Sequence, residues 1–237
     1  MADSRDVAAG LKATVFPVLR DAGFSRFKGR AAWRRCEEAV EVVDFHSLGS
    51  YLGSAVGVTS HSFGGNIGVY YKAVPAAPWS TEAVPEFPGE AACHARRFLR
   101  KSMFQLWCRR PDVWYVNPKG TNLEAVLADV VKAVVDQALP WFDEYRPPEA
   151  ALRAFESRED SEMRPGVMFE LFGGGLNSFD RAEKASALAL ACGQPQRARE
   201  AWQRMLANPY YQGLSDLQKE ARRRIALIQA PEFMKEG

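Results

Sequence analysis

The nine residues Phe63–Tyr71, FGGNIGVYY, constrain the fold of this chain more than any other stretch. Phe63, Ile67, Val69 and Tyr71 share one parity, broken only by Gly65, and the other parity holds Gly64, Asn66, Gly68 and Tyr70. Side chains alternate between the two sides of a strand. The spacing therefore predicts a β-strand with one apolar face and one nearly bare face around a single amide. Glycine weakens a strand interior, so three of them call for a bulge, a bend or something packed close to the backbone. The stretch demands a sheet and marks a contact surface, but it names no reaction.

The rest of the chain has the length and makeup to build that sheet into a globular protein. It has 237 residues, 47% of them apolar and 25% charged, enough for one large domain or a domain with an appendage. No window approaches the roughly 18 uninterrupted apolar residues of a membrane span. The opening MADSRDVAAGLK lacks the basic segment and apolar run of a secretory signal. Cys36, Cys93, Cys108 and Cys192 are scattered, with no CxxC pair, so no disulfide framework is expected and a reducing cytoplasm fits. The net charge of +2 hides no polarity: residues 1–146 hold 18 basic and 16 acidic side chains, and residues 147–237 hold 13 of each. A nucleic-acid partner is disfavoured, because its binders carry a basic domain or stripe.

Periodicity places the other elements. Val7, Leu11, Val15, Val18 and Ala22 predict a helix over 4–22, capped by Ser4, ended by Gly23 and kinked or broken at Pro17. Strands are expected over 31–36 and 40–47, with Val43 and Phe45 on one face and Asp44 and His46 on the other. A glycine- and serine-rich loop is expected over 48–60, and an irregular, proline-rich crossing over 73–90. Residues 94–103 fit strand or helix, and 112–116 a short aromatic strand. The apolar stripe Leu123, Val126, Leu127, Val130, Val131, Val134, Val135 predicts a helix over 121–139, with a Thr121/Glu124 capping box and Pro140 as its stop. Three further helices are predicted over 178–192, 195–207 and 215–229, the last with a Ser215/Gln218 box. Gly193, Ala198 and Trp202 sit at the spacing of a single tetratricopeptide hairpin. The seam falls in 145–166, and the glycine run 172–176 suits a hinge better than a phosphate loop.

The order helix, GF, aromatic strand, valine-rich strand, then F-x-x-N-x-G-V-Y resembles the bacterial domain-of-unknown-function 4304 family. Val18-Leu19, Gly23-Phe24, Trp33, Val42 to Phe45, and Phe63 with Asn66, Gly68 and Val69 carry the likeness. Cys93-His94 with Arg97, and Trp114-Tyr115, look like its later landmarks, and the match spans about residues 7–145. His46 stands where members often have glutamine, and the 48–60 loop is longer than usual. The resemblance brings no activity. It implies a bacterial, cytoplasmic setting, and some members' association with toxin–immunity gene neighbourhoods favours a protein partner.

These readings predict an α+β domain over 1–146: a four- to five-stranded, mainly antiparallel sheet covered on one face by two long helices. A helical appendage follows over 147–237. The leading functional expectation is a non-enzymatic protein-interaction module, of which an immunity- or antitoxin-like factor is one form, with no cofactor, metal or catalytic residue assigned. The alternative is a small-ligand binder or hydrolytic enzyme using a polar cluster on the free sheet face. Asp44, His46, His61, Asn66 and Arg97 are its candidates, and His46, His61 and Asp44 could form a metal corner if their strands pair. Cys93 and His94 are a weaker nucleophile and base, because adjacent strand residues point to opposite faces. Trp79, in the proline-rich crossing, is the expected interface anchor.

Overall fold

The glycine-rich stretch is a strand, one in from the edge of a five-stranded sheet. The computed structural model describes residues 2–74, 85–157 and 178–229; Trp79 and the glycine run 172–176 lie outside the described residues. Strands β1 (Arg26–Lys28), β2 (Ala31–Arg35), β3 (Ala39–Ser47), β4 (Phe63–Tyr71) and β5 (Ala95–Phe98) follow one another across the sheet in chain order, antiparallel throughout. Trp33 lies opposite Val42, and Asn66 opposite Phe98. With the helices described below, the fold is α+β. The chain divides into two compact units, Met1–Tyr70 with Pro85–Arg146, and Tyr71–Val84 with Pro147–Gly237.

Two helical rods cover one face of the sheet in the first unit, and both carry the same device. The first is α1 (Ser4–Gly10), a π turn (Leu11–Val15) and α2 (Phe16–Asp21). The second is α4 (Leu123–Ala133), a π turn (Val134–Ala138) and α5 (Leu139–Tyr145). Pro17 and Pro140 each fall at the second residue after the π turn. An interior proline lacks a donor and crowds the carbonyl four residues back. The wider turn just before it, closed by Phe16 N–H to Leu11 O and Leu139 N–H to Val134 O, opens that bonding pattern. The expected stop at Pro140 is therefore overturned, and the rod runs on to Tyr145. A π turn inserts one residue and rotates the phase. Val135, expected in the apolar stripe, is 45% exposed, while Ala138, Trp141, Phe142 and Tyr145 are buried.

Helix ends also depart from expectation. Asp3, not Ser4, caps α1 in a reciprocal box with Asp6. Gly23, at φ +91°, ends the first rod: its N–H bonds Arg20 O and that of Phe24 bonds Leu19 O, the paired bonds of a left-handed helix terminus. The Thr121 box does not form. Thr121 accepts from the Asn117 amide and Asn122 donates to Tyr115 O, so the preceding turn takes both side chains. Residues 49–55 form a helix, α3 (Gly49–Ala55), rather than loop. Among the described residues, 112–116 pair with the sheet only through the Phe63–Trp114 bridge, because Gln105 and Ser62 side chains take the N–H groups of Tyr115 and Val116. In the second unit α6 (Pro148–Ser157), α7 (Ser178–Ala191), α8 (Pro195–Ala207) and α9 (Ser215–Gln229) pack each on the next. There Arg197 pairs with Glu156, and Gln218 donates to Tyr211 O rather than closing a box with Ser215.

One buried ion group ties sheet to helices. Glu41 of β3 is fully enclosed and bonds both Arg34 and, at 2.9 Å, Arg146. The Arg34 guanidinium also donates to Ala22 O and lies over the Phe24 ring, 5.1 Å from its centroid. Removing one partner of a buried pair strands the others in low dielectric. Glu41→Ala is expected to cost about 3 kcal/mol or more, read from urea unfolding; a loss under about 1 kcal/mol would show that the group does not join the two layers.

Candidate functional site

The two parities of β4 are both buried along its whole length, so its bare face is not free. The glycines have two explanations, both internal. A Cβ on Gly64 would lie 2.7 Å from the His46 ring, and one on Gly68 would lie 2.7 Å from the Cys93 Cβ and Sγ. His46 and Cys93 thus lie flat on the strand where other residues would exclude them. Trp33, Val40, Val42, Tyr70 and Cys93 form a small apolar core here, with Phe87 packed against it. The Trp33 indole donates to Pro88 O at 2.8 Å, and His94 lies 4.6 Å from the Tyr70 ring. The segment after residue 85 therefore covers the face expected to be open.

At the end of this face a polar cluster remains. Alternation along β3 and β4 puts Asp44, His46 and Asn66 on one side of the sheet. The Asp44 carboxyl is held above its ordinary value of 3.8, first by burial and then by the nearby Glu90, against the pull of His46 and Arg30. Asp112 lies on the other flank of His46. Burial works against its charge, but the Arg110 guanidinium, bonded at 3.0 and 2.5 Å, holds it below the usual carboxylate range. Asn66 is 8% exposed, and its Oδ1 and the His46 Nδ1 have no hydrogen-bond partner among the described residues.

The remaining candidates lie elsewhere. His61 is buried near the start of α1, 3.3 Å from Asn117 O and within electrostatic reach of Asp3. It does not join His46 and Asp44, and the metal corner is overturned. Among the described residues no group of three or more His, Cys, Asp or Glu could hold a metal ion. Arg97 lies opposite Ile67 and so shares the helix-covered side.

A group of exposed large apolar residues lies where periodicity did not single any out. β5 ends where β4 begins, and the chain then forms a loop over 99–113. Phe104 is 80% exposed, Leu106 64% and Trp107 74%. Their backbone is tightly held. The buried Asp129 carboxylate of α4 accepts from Ser102 N, Ser102 Oγ and Met103 N, and from the Trp114 indole at 2.8 Å. The Gln137 amide brackets the Arg100 peptide at 3.0 and 2.7 Å. Buried Gln105 exchanges two 2.8 Å bonds with the Tyr115 backbone, and Lys101 Nζ donates to Cys108 O and Gln105 Oε1. Gln105 and Cys108 point in; Phe104, Leu106 and Trp107 point out. Two apolar residues side by side and a third two before them fit neither strand nor helix spacing, and that misfit was the available signal.

Residues 15–144 match the model of a family described as Domain of unknown function (DUF4304). The chain belongs to the DUF4304 family. No curated protein and no solved structure matches it. The matched span includes the sheet, the polar cluster and the exposed loop, and ends two residues before Arg146, the last residue of the first unit. Within this DUF4304 domain the loop depends on Asp129, and Asp129→Asn is expected to lower stability by about 2 kcal/mol. It should also speed hydrogen exchange at the Ser102 and Met103 amides; unchanged exchange there would rule out Asp129 as the clamp. A carboxyl whose folded pKa is raised destabilises the fold wherever it is ionised. The penalty is absent below the unfolded value, grows as pH rises, and is complete above the folded value. Asp44→Asn is therefore expected to raise stability at neutral pH and leave it unchanged near about pH 3, as measured by denaturation across pH.

Proposed function

We propose that this chain is a non-enzymatic protein-interaction module of the bacterial cytoplasm that docks through the loop over 99–113. An immunity- or antitoxin-like inhibitor is one form such a module takes. The observation carrying this reading is a trio of large apolar side chains held out in solvent by a backbone pinned at Asp129, Gln137 and Gln105. Large aromatic anchors dominate binding energy at protein interfaces. A loop already fixed in one conformation loses little entropy on docking. Tyr51, 84% exposed, and Leu52 stand on α3, which follows β3 at the same end of the sheet, so further apolar surface lies on that side.

A second reading, a small-ligand site at Asp44, His46 and Asn66, is favoured by the buried Asn66 Oδ1 and His46 Nδ1 left without partners among the described residues. One experiment separates the two. Tagged wild-type protein, Phe104→Ala/Trp107→Ala and Asp44→Asn/His46→Ala are used to purify partners from the native host. Loss of about 2 kcal/mol per anchor, about 30-fold in affinity each, should abolish a stoichiometric partner for the loop variant alone, with its unfolding midpoint unchanged. Retention by the loop variant and loss by the polar one would reverse the assignment.

A further inference from the structure

We infer that the partner of the exposed loop is a protein surface with an apolar cleft bordered by carboxylates. The inference rests on the interaction-module reading and deepens it. Segment 99–113 carries four cations, Arg100, Lys101, Arg109 and Arg110, against one carboxylate, Asp112. That is +3 in a chain whose net charge is +2, so the remaining residues together carry −1. Positive charge is thus concentrated around the three exposed apolar side chains. Lys101 is turned inward to Cys108 O and Gln105, and Arg110 is engaged by Asp112. Arg109 is exposed, adjoins Cys108 two residues from Trp107, and has no ion pair among the described residues. An aromatic anchor beside an uncommitted guanidinium is the arrangement that buries into a cleft and pairs with carboxylates at its rim.

Other occupants fit these charges less well. A nucleic acid is held by many phosphate contacts, each adding to the salt dependence. Here the inward Lys101 and the Asp112-bound Arg110 leave few cations for that task, and Leu106 offers no face for base stacking. A second copy would bring the same positive segment against itself, which like-charge repulsion opposes. An anionic membrane attracts basic surface at about 1 kcal/mol per cation, too little from this loop to add much to three inserted side chains.

The test places the photo-reactive amino acid p-benzoylphenylalanine at position 107 of the full chain in its native host, and identifies the adduct by mass spectrometry. The purified partner is then titrated with wild type, Arg109→Glu and Trp107→Ala. The expected adduct is a peptide rich in Asp and Glu around apolar residues. Arg109→Glu should weaken binding about tenfold at about 50 mM salt and under about twofold at about 500 mM, while Trp107→Ala weakens it at both. A neutral or basic cross-linked peptide, a second copy of the chain, or an Arg109→Glu variant that binds as tightly at low salt overturns the acidic-partner inference and leaves the interaction reading standing. Adducts on nucleic acid or lipid alone, or no adduct, overturn both.

Discussion

The carboxylate of Asp129 gathers the backbone N–H groups of Ser102 and Met103, the Ser102 hydroxyl and the Trp114 indole at one buried point on α4. A buried charge is tolerated only where hydrogen bonds replace its water. Asp129 therefore requires these donors as much as they require it. The consequences spread from there. Trp114, fixed by its indole bond, stacks on Phe63 with ring centroids 5.8 Å apart, and Phe63 in turn packs edge-on against Phe45 of β3. About two turns further along the same rod, Gln137 holds the peptide of Arg100. The loop is thus registered against helix and sheet together. Glu41 does the corresponding work at the other end of the second rod, where Arg146 follows α5.

The glycines of β4 follow from the same demand for close fit. Gly64 and Gly68 leave room for His46 and Cys93 to lie against the strand, and the thiol is closed over by the Phe87 and Trp33 cluster. The contact surface that the sequence marked is real, but the chain itself supplies the contact. What stays polar there is Asp44, His46 and Asn66, and a carboxyl raised by burial.

How much of this was legible depended on whether local pattern or distant geometry decided the outcome. β4 was readable to the residue, because alternation and glycine placement are properties of the strand itself. Three of the four described helices of the second unit, α7 to α9, were legible from their composition and spacing, whereas α6 (Pro148–Ser157) lies in the stretch read as a seam and the Ser215/Gln218 box did not form. Pro17 and Pro140 misled, because sequence shows a proline's cost but not the π turn that relieves it. The coverage of the second sheet face was hidden, since it depends on Pro88 O reaching Trp33 across 55 residues. His61 was misplaced for a similar reason: strand order suggested a neighbour of His46, whereas Asn117 and Asp3 draw it to the start of α1. The loop was overlooked because Trp107 and Phe104 are residue types that composition alone assigns to a core.

That last misassignment is also the strongest physical argument about function. Burying a large apolar side chain is worth roughly 1.5–3 kcal/mol, and a loose loop would gain some of it by folding Phe104, Leu106 or Trp107 back onto the domain. Here the buried Gln105 amide, the half-buried Gln137 amide, a buried carboxylate and an inward lysine oppose that collapse, each held by its own hydrogen-bond partners. A fold shaped by stability alone would reverse the arrangement, with Gln105 outside and Trp107 within. The inversion makes sense when the apolar side chains are buried by something other than this chain. The exposed loop, rather than the polar cluster of half-buried Asp44 and His46 with buried Asn66, is therefore the feature that supports the proposed docking role.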